Sequence, residues 1–439
     1  MPHKPPLDQW IDQVVTAFPK LTRPQVVVLA LYSFGVILAQ RCGLNSVATV
    51  LVPLLGLQFS TVRSRLQEFY QPAQAKSDSD HRRQLDVTTC FAPLLAWTLK
   101  GWPSTRLALA LDATSMGDIF TVLSISVVYR GSAIPVAWKV VRGNVPHAWK
   151  PEWIALLKRF SQLVEPGWTV IVMTDRGLYA RWLYQEIVAL GWHPLMRINH
   201  RSTFRKTGSR QAIRVTALVP KMGRRWQGRG TAFPKRRNRL ECNLLACWEA
   251  GHDQGWFLVT DLDPQWSDGL WYGMRSWIEH GFRLLKSEGW NWQRTRMTDP
   301  ERAERLWLVL AVATRYVLAI GGEAEDNEMP METIPAPAVP ATKSPATGRP
   351  ASAAQVARRP RRDATRRVPE GAPYLRASGT MKRLVSVFRK GMAALLAVLL
   401  LTHTLPKPQL KPEAWLELQG QNQTSPEKPQ SPIPKTPSL

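Results

Sequence analysis

Tyr272, Arg275, Glu279 and Lys286 lie in the run YGMRSWIEHGFRLLK at intervals of 3, 4 and 7. On a helix turning about 100° per residue, the later three point roughly 300°, 340° and 320° from the first, so all four share a sector of about 60°. A hydroxyl, two cations and a carboxylate would then line one edge of one helix. Ile278, Phe282 and Leu285 fall beside that edge. They give the helix an apolar stripe that anchors it and sets its carboxylate at the margin of a core. Two further acids end apolar runs: Asp112 closes LALALD and Asp175 closes VIVMTD. An acid directly after a β-strand sits at the carboxyl edge of a sheet. If the strands are adjacent, the two carboxylates approach to about 4–5 Å, and one stays protonated unless a cation separates them.

Asp112, Asp175 and Glu279 together would offer hard oxygen ligands, a donor set for Mg²⁺ or Mn²⁺ rather than zinc. Two such ions about 3.5–4 Å apart suit phosphodiester chemistry, one activating the attacking oxygen and one stabilising the leaving 3′-oxygen. Arg275 would grip phosphate oxygens bidentately and Lys286 as a point charge, with Tyr272 donating to a phosphate or stacking on a sugar. Arg176, next to Asp175, is read as positioning a phosphate or orienting that carboxylate. A strand-terminal Asp is also an ordinary turn former. Asp118, Asp261, Asp263 and Glu288 are alternative acids, so the residues alone leave the choice of ligands open.

The chain of 439 residues carries 58 Lys plus Arg against 33 Asp plus Glu, a formal charge of +25. Such an excess attracts polyanions within a Debye length, about 8 Å at physiological salt. Nucleic acid is the leading partner, ahead of an anionic membrane surface. Residues Arg201 to Arg239 hold 13 Lys or Arg and no Asp or Glu. Arg224, Arg225, Lys235, Arg236 and Arg237 are the cations expected along a DNA backbone, where contacts give affinity without sequence choice. The four cysteines (Cys42, Cys90, Cys242 and Cys247) make no disulfide framework and no recognised zinc spacing, so a reducing cytoplasm is expected. The start MPHKPPLDQW carries no secretory pattern, and the late apolar run Gly391–Leu401 has eleven residues. A membrane span needs roughly 20, so no membrane partner is expected.

Positioning those acids requires an α/β frame. Apolar, β-branched runs at 107–111, 120–129, 133–140, 169–173 and 194–198 read as strands, with helices near 151–164 and 178–190 between them. Short strands are expected at 215–219, 244–248 and 256–260, and a covering helix at 300–320. Before the sheet, helices near 26–40, 45–54 and 60–70 suggest a helical unit. The last of these carries Arg63 and Arg65, which suit a helix-turn-helix contact with DNA or an all-helical support. The division expected is a helical domain at 1–100, a catalytic domain at 101–322 with a basic β-rich insertion near 200–268, and a tail at 323–439. The Pro-, Ala- and Arg-rich tail reads as largely disordered, with an isolated helix at 381–405.

The chain resembles DDE transposases of the IS4 insertion-sequence family. The family signature Y-(2)-R-(3)-E-(6)-K is matched by Tyr272, Arg275, Glu279 and Lys286 at the family spacings. Asp112 in LALALDAT and Asp175–Arg176 in VMTDRGLYA match its two strand-borne aspartates, and 103 residues separate Asp175 from Glu279. The resemblance covers roughly residues 20–320. It implies a ribonuclease H-like mixed sheet with a β-rich insertion, and Asp112, Asp175 and Glu279 as catalytic metal ligands. It also implies a homodimer that binds inverted terminal repeats on double-stranded DNA, cleaves at the element ends and joins the 3′-hydroxyls to a target, in a bacterial cytoplasm. Some members stack an aromatic residue on a flipped base, worth about 1–3 kcal/mol; Trp277, Trp290 and Trp292 are the candidates here. The same residues would also serve a ribonuclease H-like nuclease that cuts without joining, and a non-catalytic DNA-binding relative is the further alternative.

Overall fold

The computed structural model describes residues 4–76, 83–143, 149–235, 237, 239–249, 252–328 and 383–412. The chain opens with helices α1 (Pro6–Ala17), α2 (Arg23–Ala39), α3 (Leu44–Leu55), α4 (Phe59–Tyr70) and α5 (Phe91–Leu99). Thr22 and Gln25 cap α2 reciprocally, each side chain accepting from the other's backbone N–H. The helix is apolar on all sides and buried from Leu29 to Ile37, as a core helix should be. Gln40 in the left-handed region ends it. Helix α3 then begins directly after Gly43, without a side-chain cap.

A mixed α/β sheet domain follows. Its strands are β1 (Arg106–Met116), β2 (Phe120–Tyr129), β3 (Ser132–Arg142), β4 (Thr169–Thr174) and β5 (His193–Arg197). Helix α6 (Trp149–Ser161) connects β3 to β4, and α7 (Arg181–Ala189) connects β4 to β5. Strands β1, β2 and β3 form an antiparallel meander, whereas β4 runs parallel to β1 and β5 parallel to β4. Leu107–Leu111, all of β2 and Val170–Met173 are buried without alternation, the signature of a sheet covered on both faces.

The basic region adds β6 (Thr203–Lys206), β7 (Ile213–Arg214), β8 (Arg225–Ala232), β9 (Leu240–Cys247) and β10 (Trp256–Thr260). These extend the same sheet, because β10 pairs antiparallel with β5, giving the order β3-β2-β1-β4-β5-β10-β9-β8-β6-β7. The run 215–219, expected as a strand, is a 3₁₀ turn closed by the Val219 N–H on the Thr216 carbonyl, with Val215 and Val219 buried at its two ends.

Helix α8 (Trp277–Arg283) lies on β3, where Gly281 permits close approach: a Cβ there would meet the Ala133 carbonyl oxygen at 2.9 Å. Helix α9 (Pro300–Asn327) is capped by Asp299, whose carboxylate accepts from the Arg302 N–H at 2.8 Å. It is long and apolar enough to cross a membrane, yet 94% of its apolar window is buried inside the fold. The helix runs on past residue 322, where the catalytic domain was expected to end. Gly321 and Gly322 lie inside α9, where a Cβ would overlap the Val387 carbonyl and the Tyr129 hydroxyl respectively. The expected isolated tail helix is α10 (Val387–Leu401), and it docks across α9 at Gly321. Residues 403–411 then strap the fold. Gln9 and Gln13 of α1, Arg315 and Tyr316 of α9, and Arg130 at the β2–β3 turn all bond to the strap's backbone. The stretches 329–382 and 413–439, read as disordered, lie outside the described residues.

Candidate active site

Three separate pieces of chain converge at the carboxyl edge of β4. In the parallel β1–β4 ladder Leu111 pairs with Thr174, and the ladder stops there. Asp175 follows the end of β4. Asp112 is not the last residue of its strand, as expected. β1 continues to Met116 through its antiparallel partner β2, in which Asp112 faces Ser124. Only its β4 side is free, and that is the side Asp175 occupies.

The third piece is the run containing Tyr272 to Lys286, expected as one regular α-helix. It is instead a 3₁₀ turn at Gly269–Ser276, then α8, then a π turn at Leu284–Glu288. The tighter first segment suits the spacing of 3 between Tyr272 and Arg275, since a 3₁₀ helix repeats about every three residues. Tyr272 and Arg275 therefore stack on one face, and Glu279 enters in the first turn of α8.

Arg275 is the centre of the cluster. Its Nη2 lies 2.7 Å from Asp112 Oδ2 and 3.7 Å from Asp175 Oδ2, while Nη1 donates to Glu279 Oε1. Its Nε is buried without a partner. The Arg275 side chain is 10% exposed, and the carboxylates grade outward from Asp112 at 18% through Asp175 at 39% to Glu279 at 58%. The site thus opens to solvent on the Glu279 side. Burial pushes the Asp112 carboxyl up to about 6, against the pull of Arg275 and the Ala113 N–H and with a further push from Asp175 and Glu279. Burial disfavours the charge on Arg275, but Asp112, Tyr272, Glu279 and Asp175 outweigh it and hold the guanidinium above its ordinary value.

The neighbours fix this geometry. Ala113 N–H donates to Asp112 Oδ1 at 2.8 Å, and Leu178 N–H donates to Asp175 Oδ1 at 2.8 Å. Lys286 Nζ donates to Thr114 Oγ1 at 3.2 Å and to the Ser115 carbonyl at 2.7 Å, tying the π turn to the end of β1. Tyr272 is buried at 5% exposure, edge-on to Trp256 at 5.3 Å. Tyr272, Arg275 and Lys286, expected on phosphates, are thus all engaged within the fold. Among the described residues no three His, Cys, Asp or Glu side chains stand close enough to hold a metal ion. The three carboxylates are spread around the Arg275 guanidinium.

The remaining candidates separate into groups. Arg176 is exposed and lines a cleft of about 600 Å³ with Tyr179, Arg181, Trp182, Asn199 and Phe233. The β8–β9 turn folds against this loop: Phe233 contacts Tyr179 at 5.4 Å, and Arg181 donates to the Arg237 carbonyl at 3.4 Å. Exposed Lys235 and Arg237 therefore sit beside the loop that follows Asp175, with Arg181, which the sequence reading did not name. Arg236 lies outside the described residues. Arg224 and Arg225 stand at the opposite end of β8, about 23 Å away at 3.3 Å per residue, with Arg225 paired to Glu249 at 2.9 Å. Arg63 bonds to Asn45 and Gln67 within the helical region, and Arg65 is exposed on α4. Of the proposed stacking residues, Trp290 and Trp292 are fully buried, Trp290 donating to Thr314 Oγ1 at 2.8 Å and Trp292 packed on Phe120 and Trp307. Neither ring has a free face. Trp277 is partly exposed.

Residues 125–315 match the family model described as Transposase DDE domain. The match supports a DDE-transposase assignment for the sheet domain. It takes in Asp175, Arg275, Glu279 and Lys286 but begins beyond Asp112. Among solved structures the chain is similar to piggyBac transposase in a synaptic complex with hairpin DNA, at 10% identity and a TM-score of 0.34, over 70% of this chain and 72% of that one. No curated protein matches.

Proposed function

We propose that this chain is a DNA transposase of the IS4 type. It would bind the terminal inverted repeats of an insertion sequence as a homodimer, cleave phosphodiester bonds at the element ends and join the 3′-hydroxyls to target DNA. The observation that carries the reading is the convergence of Asp112, Asp175 and Glu279 on one cationic group. The strand order β3-β2-β1-β4-β5, with β1–β3 antiparallel and β4 and β5 parallel to β1, supports a ribonuclease H-like core, with β6–β10 as the β-rich insertion.

Oxygen donors alone, already gathered about a positive charge, fit Mg²⁺ or Mn²⁺. Asp112, Asp175 and Glu279 would hold two such ions, which when bound supply activation of the attacking oxygen and stabilisation of the leaving 3′-oxygen. The chain's own groups do the rest. The Leu178 N–H fixes the orientation of Asp175, and Lys286 holds the end of β1 that carries Asp112. Arg176, Arg181, Lys235 and Arg237 line the approach and would bind the phosphates of the strand being cut.

The test uses a duplex carrying the inverted repeat that flanks the gene. Asp112→Asn, Asp175→Asn and Glu279→Gln should each abolish Mg²⁺-dependent cleavage while leaving gel-shift binding of that end in place. Full residual cleavage in any one removes that residue from the mechanism. A pre-cleaved end bearing a 3′-hydroxyl should yield joined products; robust cutting without joining would make the chain a nuclease.

A further inference from the structure

We propose that Arg275 is a tethered counter-ion: it occupies the carboxylate cluster in the metal-free protein, is displaced when a divalent cation enters, and in leaving becomes available to a DNA phosphate. The inference rests on the reading of Asp112, Asp175 and Glu279 as metal ligands and adds an order to the assembly of the site.

The argument is one of charge and access. Two guanidinium nitrogens reach three carboxylates drawn from β1, the loop after β4 and α8. No second cation is paired to any of the three among the described residues. With all three ionised, one guanidinium leaves two negative charges uncompensated. The cage is therefore closed enough to fold and too negative to be at rest. Arg275 also has a reason to leave, since its buried Nε makes no hydrogen bond. Such an orphan costs stability that a new acceptor would recover. Removing the guanidinium from Glu279, the most exposed of the three, opens the cluster on its solvent side. A planar fork released there matches a phosphate.

Displacement makes metal and DNA binding reciprocal. A cation that frees Arg275 raises affinity for the phosphate, and a phosphate that captures Arg275 raises affinity for the cation by the same factor. In a protein without the guanidinium, metal binding no longer has to break the ion pairs, and the coupling vanishes.

The experiment titrates the full-length protein with Mn²⁺, following the free-ion electron paramagnetic resonance signal, with folding checked by circular dichroism. Arg275→Gln should bind Mn²⁺ about tenfold more tightly than the wild type, a coupling of ordinary size. Arg275→Lys, which keeps a cation of shorter reach, should fall between them and decides the matter should the Gln variant not fold. In a second arm, Ca²⁺ should tighten wild-type binding to a DNA duplex and leave the Arg275→Gln variant unchanged. If both Arg275 variants bind Mn²⁺ equally or more weakly than wild type while Asp175→Asn abolishes binding, the counter-ion role is overturned and the metal site stands. Mn²⁺ binding indifferent to Asp175→Asn would overturn the metal site itself, and the counter-ion role with it.

Discussion

Leu111 of β1 and Thr174 of β4 are paired in parallel register, the last pair in their ladder. That single register brings Asp112 and Asp175 out of the sheet side by side. A slip of one residue would turn one of them to the opposite face. The candidate site is thus written into strand pairing first and into side-chain contacts second.

Asp175 has a structural task beside its proposed chemical one, because its Oδ1 accepts from the Leu178 N–H. Asp175→Ala should lose about 1 kcal/mol in urea unfolding, the usual cost of a lost side-chain cap. Asp175→Asn keeps an acceptor oxygen and should unfold within about 0.5 kcal/mol of the wild type. Equal losses in the two variants would show that this contact does not order the loop.

The α9–α10 crossing depends on the absence of side chains at Gly321 and Gly391. A Cβ on Gly391 would overlap the Val317 carbonyl, as one on Gly321 would overlap that of Val387. Gly391→Val should destabilise the fold by about 2–3 kcal/mol, at the upper end for overpacking. Ala393→Val, on the exposed side of α10, should change stability by less than about 0.5 kcal/mol. Similar melting temperatures for the two variants would mean that α10 is not docked there.

Glu325 ties three segments together: it accepts from Arg130 at 3.1 Å and from Arg383 at 2.8 and 3.0 Å. Burial pushes its carboxyl up, but Arg383 and Arg130 outweigh that and hold it below the ordinary 4.5. The folded value is the lower one, so the native state binds fewer protons than the unfolded state as pH falls below 4.5. The stabilisation is complete above that pH and is lost as pH drops through the folded value. Glu325→Gln should cost about 3 kcal/mol at neutral pH, as expected when one partner of a buried pair is removed. It should also flatten the acid limb of a stability–pH curve; an unchanged limb would refute the assignment.

Lys235 and Arg237 flank the loop after Asp175, whereas Arg224 and Arg225 lie at the far end of β8. Replacing the first pair by Gln should lower DNA affinity and reduce the slope of log K against log salt by about 2, roughly 0.9 per phosphate contact. The second pair should matter less. Fluorescence anisotropy across a salt series measures both, and the reverse ranking would move the DNA path to the other end of the hairpin.

Strand positions were legible because 107–111 and 170–173 are apolar without interruption and 120–129 is rich in Val and Ile, as buried strands are. The acids could be named because two of them end such runs and the third sits in a spaced signature. What pattern reading missed has physical causes. Helical phase assumes 3.6 residues per turn, so it could not foresee a 3₁₀ turn passing through α8 into a π turn. Glycine signals both termination and close approach, and at Gly321 the second meaning applies because α10 crosses there. The 3, 4, 7 spacing places Arg275 near Glu279 but carries no information on Asp112, 163 positions away. The ion pair that draws the site closed was therefore invisible until the fold set those residues together.

The central claim is that Asp112, Asp175 and Glu279 form a divalent-cation site from which Arg275 withdraws. Crystals grown with MnCl₂ and measured at the manganese absorption edge test it most directly. The account predicts anomalous density bounded by carboxylate oxygens of Asp112 and Asp175, with the Arg275 guanidinium no longer bridging them. Saturating Mn²⁺ with no anomalous peak there, and Arg275 still bonded to Asp112 and Glu279, would contradict it.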